Sequence, residues 1–275
     1  IISGLRKLGF SEVWEVAFGA ELIAKEYGKI FKDALRTGRY VISTPCPAIV
    51  LFVEKYMPAL HAALAPIVSP MLAVARTIKH RYGSGVRIVF IGPCIAKKAE
   101  IKDPFVQGTV DAALTFVELQ RMFVEEGVDL GAERASDFDG PQAYLGRSIP
   151  ISGGLLRTAG LYADILENDV LVTEGKDRVM GVLKEIADGR SKAKLFDLLF
   201  CEGCINGPKL LSELSVFARK ELLTEHIREQ NRFTVRRELV ENLDDLGELD
   251  LARDFTRQAV ALPNPTEEQI AETMK

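Results

Sequence analysis

Cysteine, histidine and aromatic residues are scarce in this chain of 275 residues. It contains four Cys, three His and one Trp, and aromatic residues make up 8% of the chain. A disulfide framework is typical of small secreted chains that lack a core, whereas the 47% of apolar residues here can form a core without one. The formal net charge of −4 supplies no basic field, so we expect no nucleic acid partner.

An uninterrupted apolar run long enough to cross a membrane is also missing. No charged residue lies between Lys55 and Arg76, which is about the length of a spanning helix. Three prolines at positions 58, 66 and 70 divide this stretch, and proline breaks helices. We therefore predict two short buried helices and no membrane partner. Because residue 1 is Ile rather than Met, we expect a piece of a longer protein.

The remaining pattern predicts an α/β fold with an added helical segment. Short β-branched or aromatic runs alternate with helical periodicity, which is typical of parallel sheets covered by helices. We place a first lobe at residues 1–82 and a second at 83–208. Charged residues and helical periodicity fill the C-terminal extension, 209–275. One further strand is expected at 12–17.

Three of the predicted strands are followed by a cysteine. Cys46, Cys94 and Cys201 each come at or just after such a run, and Cys204 follows Cys201 with two residues between them. Ligands of parallel α/β sheets bind outside the carboxyl ends of the strands, so a shared cluster explains this placement. Four unrelated buried thiols, or a zinc site that includes the Cys-x₂-Cys pair, are the alternatives.

Three segments carry a family resemblance. They are 43–47 (STPCP), 92–100 (GPCIAKKAE) and 201–208 (CEGCINGP). In this order they resemble the signature motifs of the iron-only ([FeFe]) hydrogenase catalytic domain, and the similarity extends over about residues 3 to 208. It implies two lobes, each with a small parallel sheet flanked by helices, and a metal cluster between the lobes.

The resemblance also implies a set of site residues. Cys46, Cys94, Cys201 and Cys204 match the four thiolates that hold a [4Fe–4S] cluster, and Cys204 matches the one that bridges to a diiron subcluster. Soft thiolates suit such clusters. Lys97 matches the family's lysine that donates to a cyanide of the diiron unit. Its alternative interpretation is one half of a solvated Lys97-Lys98 pair.

Several positions depart from the family's efficient members. Their proton relay has a cysteine, two glutamates and a serine where this sequence has Pro45, Tyr27, Ile30 and Ala65. Proton transfer needs titratable groups within hydrogen-bond reach, so most of the relay is lost. Gly92 replaces a methionine, and the third motif has one residue fewer between its cysteines, which weakens the bridging role of Cys204.

These departures favour a sensory branch of the family. We expect an iron–sulfur protein that acts as a redox or hydrogen-sensing module, with further Fe–S or signalling domains in the same polypeptide. A cytoplasmic location in an anaerobe fits its thiol chemistry. One alternative is a slow, ferredoxin-type [FeFe] hydrogenase with a diiron subcluster and ferredoxin as electron partner. The other is a structural zinc or metal-free scaffold.

Overall fold

The strands form two small parallel sheets. The structure is a computed structural model, and it describes residues 1–161 and 168–256 together with the single residues 266 and 272. A three-stranded sheet has the order β1-β5-β4, with β1 at Val41–Ile42, β4 at Val170–Glu174 and β5 at Leu195–Leu199. A two-stranded sheet pairs β2 at Val89–Gly92 with β3 at Ala112–Thr115. The predicted α/β class with small parallel sheets is confirmed.

Helices precede, separate and follow these strands along the chain. In the described residues they are α1 Ile2–Lys7, α2 Ala17–Thr37, α3 Pro47–Tyr56, α4 Pro70–Tyr82, α5 Lys97–Glu100, α6 Phe116–Glu125, α7 Gly154–Thr158, α8 Lys176–Ala187, α9 Val216–Phe233 and α10 Arg236–Asp245. Short 3-10 helices occupy Pro58–Ala63, Leu145–Ser148 and Cys204–Asn206. Among the described helices, none combines the length and apolar character needed to cross a bilayer.

Local sequence signals explain several of the helix ends. Pro47 and Pro70 each stand in the first turn of a helix, where proline's fixed φ is favourable and its missing N–H is not needed. Thr115 and Glu118 form a capping box at the start of α6. Gly38 ends α2 in the left-handed conformation that glycine adopts without strain.

The predicted strand at 12–17 is wrong. Only Trp14 forms a single bridge, to Asp139, and α2 already begins at Ala17. The backbone N–H of Val13 donates to the Asp139 side chain at 2.8 Å. A loop, rather than a neighbouring strand, therefore satisfies this stretch.

The apolar stretch before Arg76 folds as two helices, as expected, but they differ in burial. Within the 3-10 helix Pro58–Ala63 only Leu60 is buried, whereas α4 buries seven of its residues from Pro70 to Thr77. The first helix is therefore partly exposed, in contrast to the prediction.

Strand pairing does not follow the chain order of the predicted lobes. β1, from residues 1–82, pairs in parallel with β5, from residues 83–208, with Val41 opposite Leu195. The larger sheet thus takes strands from both ranges. Because β1 and β5 are parallel neighbours, Cys46 and Cys201 follow them at the same edge of this sheet.

The C-terminal extension packs against the rest of the chain. After α10, a segment at 249–256 runs beside the loop that precedes α4. Ile67 forms an antiparallel bridge with Ala252, and the N–H of Val68 donates to the carbonyl of Leu251 at 3.0 Å. In the range 209–275, which was expected to be helical, the described residues form α9 and α10, whereas 249–256 form no helix. Except for 266 and 272, residues 257–275 lie outside the described part of the chain.

Candidate metal centre

Cys46 lies between β1 and α3. It is the N-cap residue of α3, and its carbonyl accepts the N–H groups of Ile49 at 3.1 Å and Val50 at 3.3 Å. Burial raises the pKa of the Cys46 thiol, and the N–H of Phe200 opposes this increase by hydrogen bonding toward the sulfur. Phe200 directly precedes Cys201, so this contact joins the first and third motifs.

Cys94 lies in the short loop between β2 and α5. It is partly exposed. The carbonyl of the preceding Pro93 accepts the N–H of Lys209 at 3.2 Å, which ties the second motif to the end of the third. A hydrogen bond from Lys97 Nζ to the carbonyl of Pro45, at 3.5 Å, ties the second motif to the first. The three motif loops therefore contact one another pairwise.

Cys201 and Cys204 lie on the turn that follows β5. Gly203 between them has φ +79°, and a Cβ there would lie 2.9 Å from the carbonyl oxygen of Pro150. That carbonyl accepts the N–H of Cys204 at 2.8 Å. Glycine is needed here both for the backbone conformation and for the close approach, and the result is a turn with a fixed shape.

The four thiols influence one another electrostatically. Burial is the largest cause of the raised pKa of Cys201, and Cys46 and Cys94 add to it. Cys204 is exposed as a residue, yet burial of its thiol is the largest cause of a pKa raised to about 12. Cys46, Cys94 and Cys201 contribute to this increase, and Lys97 opposes it. All four sequence-predicted cysteines are therefore neighbours in one region.

The donor chemistry of this region fits an iron–sulfur cluster. Several thiolates in one place repel each other, and bound iron supplies the positive charge that makes their ionised form favourable. Within the described residues, no group of three or more His, Cys, Asp or Glu side chains is arranged to hold a single metal ion. The thiols are thus close enough to interact but are not gathered around one point.

Lys97 is buried rather than solvated. Only 8% of the residue is exposed, and its Nζ pairs with Glu100 Oε2 at 2.7 Å. The interpretation of Lys97 and Lys98 as a solvated pair is therefore wrong for Lys97. Lys98 instead makes a part-buried ion pair with Glu118.

At two positions of the missing proton relay, Tyr27 and Ala65, the hydrogen bonds within the described residues connect only to Thr44 and to nearby backbone groups. The Tyr27 hydroxyl accepts the N–H of Thr44 at 2.8 Å and lies 2.9 Å from Thr44 Oγ1. Thr44 Oγ1 in turn reaches the carbonyls of Ala65 and Ile67, each at 3.0 Å. Burial raises the pKa of Tyr27 above its usual value, so this phenol stays neutral at physiological pH.

Two arginines beyond residue 208 also reach this region, and sequence reasoning missed both. From α9, Arg219 donates to Asn206 Oδ1 at 2.6 Å and to the carbonyl of Ile205 at 3.4 Å, directly after Cys204. Arg253 donates to Glu100 Oε1 at 2.8 Å. No local pattern marks either arginine, because each acts through a contact distant in sequence.

Residues 1–208 match the family model of the iron-only hydrogenase large subunit, C-terminal domain. The chain belongs to this family. Its resemblance to hydrogenase motifs is thereby confirmed, and the family supports an iron–sulfur protein of the hydrogenase H-cluster type. The match ends where the third cysteine motif ends.

Curated relatives are hydrogenase proteins of greater length. The chain is 28% identical over 218 residues to the NADP-reducing hydrogenase subunit HndD of Solidesulfovibrio fructosivorans, covering 70% of this chain and 36% of that protein. It is 27% identical over 175 residues to iron hydrogenase 1 of Clostridium pasteurianum, covering 58% and 30% respectively. The chain thus spans about a third of the length of these relatives.

Solved structures share the fold. A variant of [FeFe]-hydrogenase HydA1 from Chlamydomonas reinhardtii aligns with a TM-score of 0.72 at 20% identity, covering 94% of this chain and 87% of that one. A HydA structure concerned with stepwise H-cluster assembly aligns with a TM-score of 0.71 at 19% identity and the same coverage. At these identities the likeness establishes the fold, including most of the C-terminal extension.

Proposed function

We propose that Cys46, Cys94, Cys201 and Cys204 hold a [4Fe–4S] cluster. The observation that carries this proposal is that the three loops bearing the four cysteines contact one another. Lys97 Nζ donates to the carbonyl of Pro45 at 3.5 Å, and the N–H of Lys209 donates to the carbonyl of Pro93 at 3.2 Å. When bound, such a cluster supplies one-electron redox chemistry. The chain's own part is to hold four thiolates, to fix the Cys204 turn through Gly203 and Pro150, and to place one buried cation, Lys97, beside them.

The proposed biological role is a redox or hydrogen-sensing module of a larger, cytoplasmic protein. Its support is the combination of retained cysteines with an interrupted relay. Tyr27 hydrogen-bonds to Thr44, and the Thr44 hydroxyl reaches the backbone carbonyls of Ala65 and Ile67, so these hydrogen bonds end on the backbone instead of on a further titratable group. Pro45 has no acidic proton to pass on. Further Fe–S or signalling domains in the same polypeptide would receive the electron or the signal.

A slow, active hydrogenase is the second candidate function, because Lys97 is buried and contacts the carbonyl of Pro45, next to Cys46. The ammonium of Lys97 also lowers the pKa of Cys204, the thiol that would contact a diiron subcluster. In this case Lys97 would donate a hydrogen bond to a ligand of that subcluster, and ferredoxin would be the electron partner. A structural zinc site is less well supported, because the described cysteines are not arranged around one ion.

Cluster reconstitution tests the primary proposal. Anaerobic protein supplied with iron and sulfide should bind about four irons per chain and give a cluster-type EPR signal after reduction. Cys→Ser substitution at 46, 94 or 201 should abolish or severely weaken cluster retention. Ser43→Ala, a change three residues from Cys46, is the matched control and should retain the cluster. One zinc per chain, without iron, would refute the proposal.

The diiron subcluster requires a separate test. Protein matured with the diiron precursor should show CO and CN infrared bands if it is an active hydrogenase. The absence of these bands would rule out this second function. Cys204→Ser distinguishes two roles for that thiol. Loss of the infrared bands alone indicates a bridge, whereas loss of the [4Fe–4S] signal indicates an ordinary ligand.

A further inference from the structure

Arg253 is a buried cation. It lies on residues 249–256, called here the C-terminal segment. Its side chain is 2% exposed, and its guanidinium donates to Glu100 Oε1 at 2.8 Å and to Asp103 Oδ2 at 3.2 Å. Arg253 lies 45 residues beyond the end of the matched family range, since that range stops at residue 208. A charge is costly to bury, so both of its partners matter.

Glu100 joins Arg253 to Lys97. The Glu100 side chain is fully buried, and its two oxygens serve different cations: Oε1 accepts from Arg253 and Oε2 accepts from Lys97 at 2.7 Å. Lys97 Nζ also lies 3.5 Å from the carbonyl of Pro45, next to Cys46. The position of the Lys97 ammonium is thus set by a carboxylate that Arg253 holds from the other side.

Arg253 itself is fixed by a rigid part of the fold. Its N–H donates to the carbonyl of Pro66 at 3.2 Å, and its guanidinium lies over the ring of Phe255, 5.0 Å from the centroid. Phe255 packs in the core that contains α3, α8 and β5. These contacts hold the arginine in place. Arg253 in turn holds the Glu100 carboxylate, which binds the Lys97 ammonium.

We propose that Arg253 is a positioning residue of the metal centre: it orients Glu100 and thereby fixes the Lys97 ammonium between the Cys46 and Cys204 loops. This inference rests on the proposed function in one respect, that Lys97 faces a bound cofactor. It makes the C-terminal segment part of the site, although the segment contributes no metal ligand.

Arg76 provides a matched control. It binds the same C-terminal segment by donating to the carbonyls of Asp250 at 2.6 Å and Ala252 at 2.9 Å. Its hydrogen bonds and ion pairs in the described residues do not include Glu100 or Lys97. Replacing Arg76 therefore loosens the segment without removing the cation that holds Glu100.

The first experiment measures the accessibility of Lys97 in the protein without added cofactor. Arg253→Met should increase the acylation rate of the Lys97 amine several-fold, as followed by mass spectrometry. Arg253→Lys should restore most of the protection because it keeps the charge, whereas Arg76→Met should leave the rate near that of the original chain. Should Arg253→Met fail to fold, Glu100→Gln keeps the side-chain shape, weakens both ion pairs and should release Lys97 similarly. Unchanged acylation in the folded variants would overturn the proposal.

The second experiment measures the midpoint potential of the reconstituted cluster. Arg253→Met should lower the potential because a displaced Lys97 stabilises the more negative, reduced state less. In a Lys97→Met background the same Arg253 substitution should cause no further shift. Equal shifts in both backgrounds would mean that Arg253 acts by its charge alone, which contradicts positioning. Absence of iron from the original chain would instead refute the proposed function, and the acylation result would still decide the role of Arg253.

Discussion

Asp197 is a carboxyl group in the middle of the three-stranded sheet. It lies on the central strand β5, is 4% exposed, and accepts a hydrogen bond from the Ser43 hydroxyl at 3.2 Å. Burial raises its pKa to about 6, although Ser43 and the backbone N–H of Gly153 both act in the opposite direction. Tyr27 is a second titratable group nearby, and the charge of Asp197 raises its pKa.

This raised pKa predicts that stability falls as the pH rises through the weakly acidic range. The folded state keeps the Asp197 proton up to about pH 6, whereas the unfolded chain releases it near its ordinary pKa. The contribution is fully present below about pH 4 and is lost by about pH 6. Raising the pKa of Asp197 from its ordinary value to about 6 corresponds to about 3 kcal/mol in the free energy of unfolding.

Asp197→Asn should remove this contribution, which urea unfolding at pH values from 4 to 7 can measure. The difference in unfolding free energy between the original chain and the variant should therefore vary by about 3 kcal/mol across that range. Ser43→Ala is the companion variant. Because the Ser43 hydroxyl lowers the pKa of Asp197, its removal should move the transition to higher pH. A constant difference between the Asp197 variant and the original chain would contradict the assignment.

At the scale of elements, α2 and α4 approach each other closely at Gly19. A Cβ on Gly19 would lie 2.1 Å from the carbonyl oxygen of Pro70 and 2.8 Å from Val74 Cγ2. Both helices contribute to the same apolar cluster, which includes Phe18 and Leu72. The absence of a side chain at this one position therefore sets the distance between the helices.

Gly19→Ala should destabilise the fold by about 3 kcal/mol, since the added methyl group meets backbone that cannot move independently. Gly28→Ala, in the same helix, is the matched control. The nearest atom to a Cβ there is 4.0 Å away, so the substitution should gain up to about 1 kcal/mol from helix propensity. Thermal or urea unfolding measures both effects. Equal stability changes in the two variants would show that the close approach has no energetic consequence.

Elements with a strong local signal could be predicted from the sequence, and those set by tertiary contacts could not. The start of α6 carries such a signal, because Thr115 and Glu118 form a capping box three residues apart. The expected strand at 12–17 failed, because its alternating pattern has no strand beside it and Asp139 satisfies its backbone instead. Residues 249–256 lie in the range that was expected to be helical, but Ala252 instead forms an antiparallel bridge with Ile67, a contact that exists only in the completed fold.

At the scale of the whole molecule, the sequence indicated the four cysteines that the fold brings into one region, but not the residues that support them. Cysteines at strand ends, together with the motif order, indicated the four thiols and Lys97. Arg253 reaches Glu100 across 153 positions of sequence, and no pattern in its neighbourhood indicates that contact. Long-range ion pairs of this kind depend on the completed fold, which local propensity does not encode.

The C-terminal segment is therefore expected to contribute to the stability of the domain. Substitution of Phe255, in this segment, and of Phe233, in α9, tests this. Phe255 is 9% exposed, packs against the core with β5 and makes an edge contact with the ring of His61, whereas Phe233 at the end of α9 is 75% exposed. Phe255→Ala should cost about 3 kcal/mol because it leaves a cavity. Phe233→Ala should change the free energy of unfolding by less than about 0.5 kcal/mol.

Urea unfolding followed by both tyrosine fluorescence and far-UV circular dichroism measures these changes and their cooperativity. Because Phe255 contacts residues of the family range, its replacement should lower the midpoint of one transition seen by both probes. A separate early transition confined to the variant would instead mean that the segment unfolds by itself. In that case the ion pair between Arg253 and Glu100 would be too weak to hold the C-terminal segment to the metal centre.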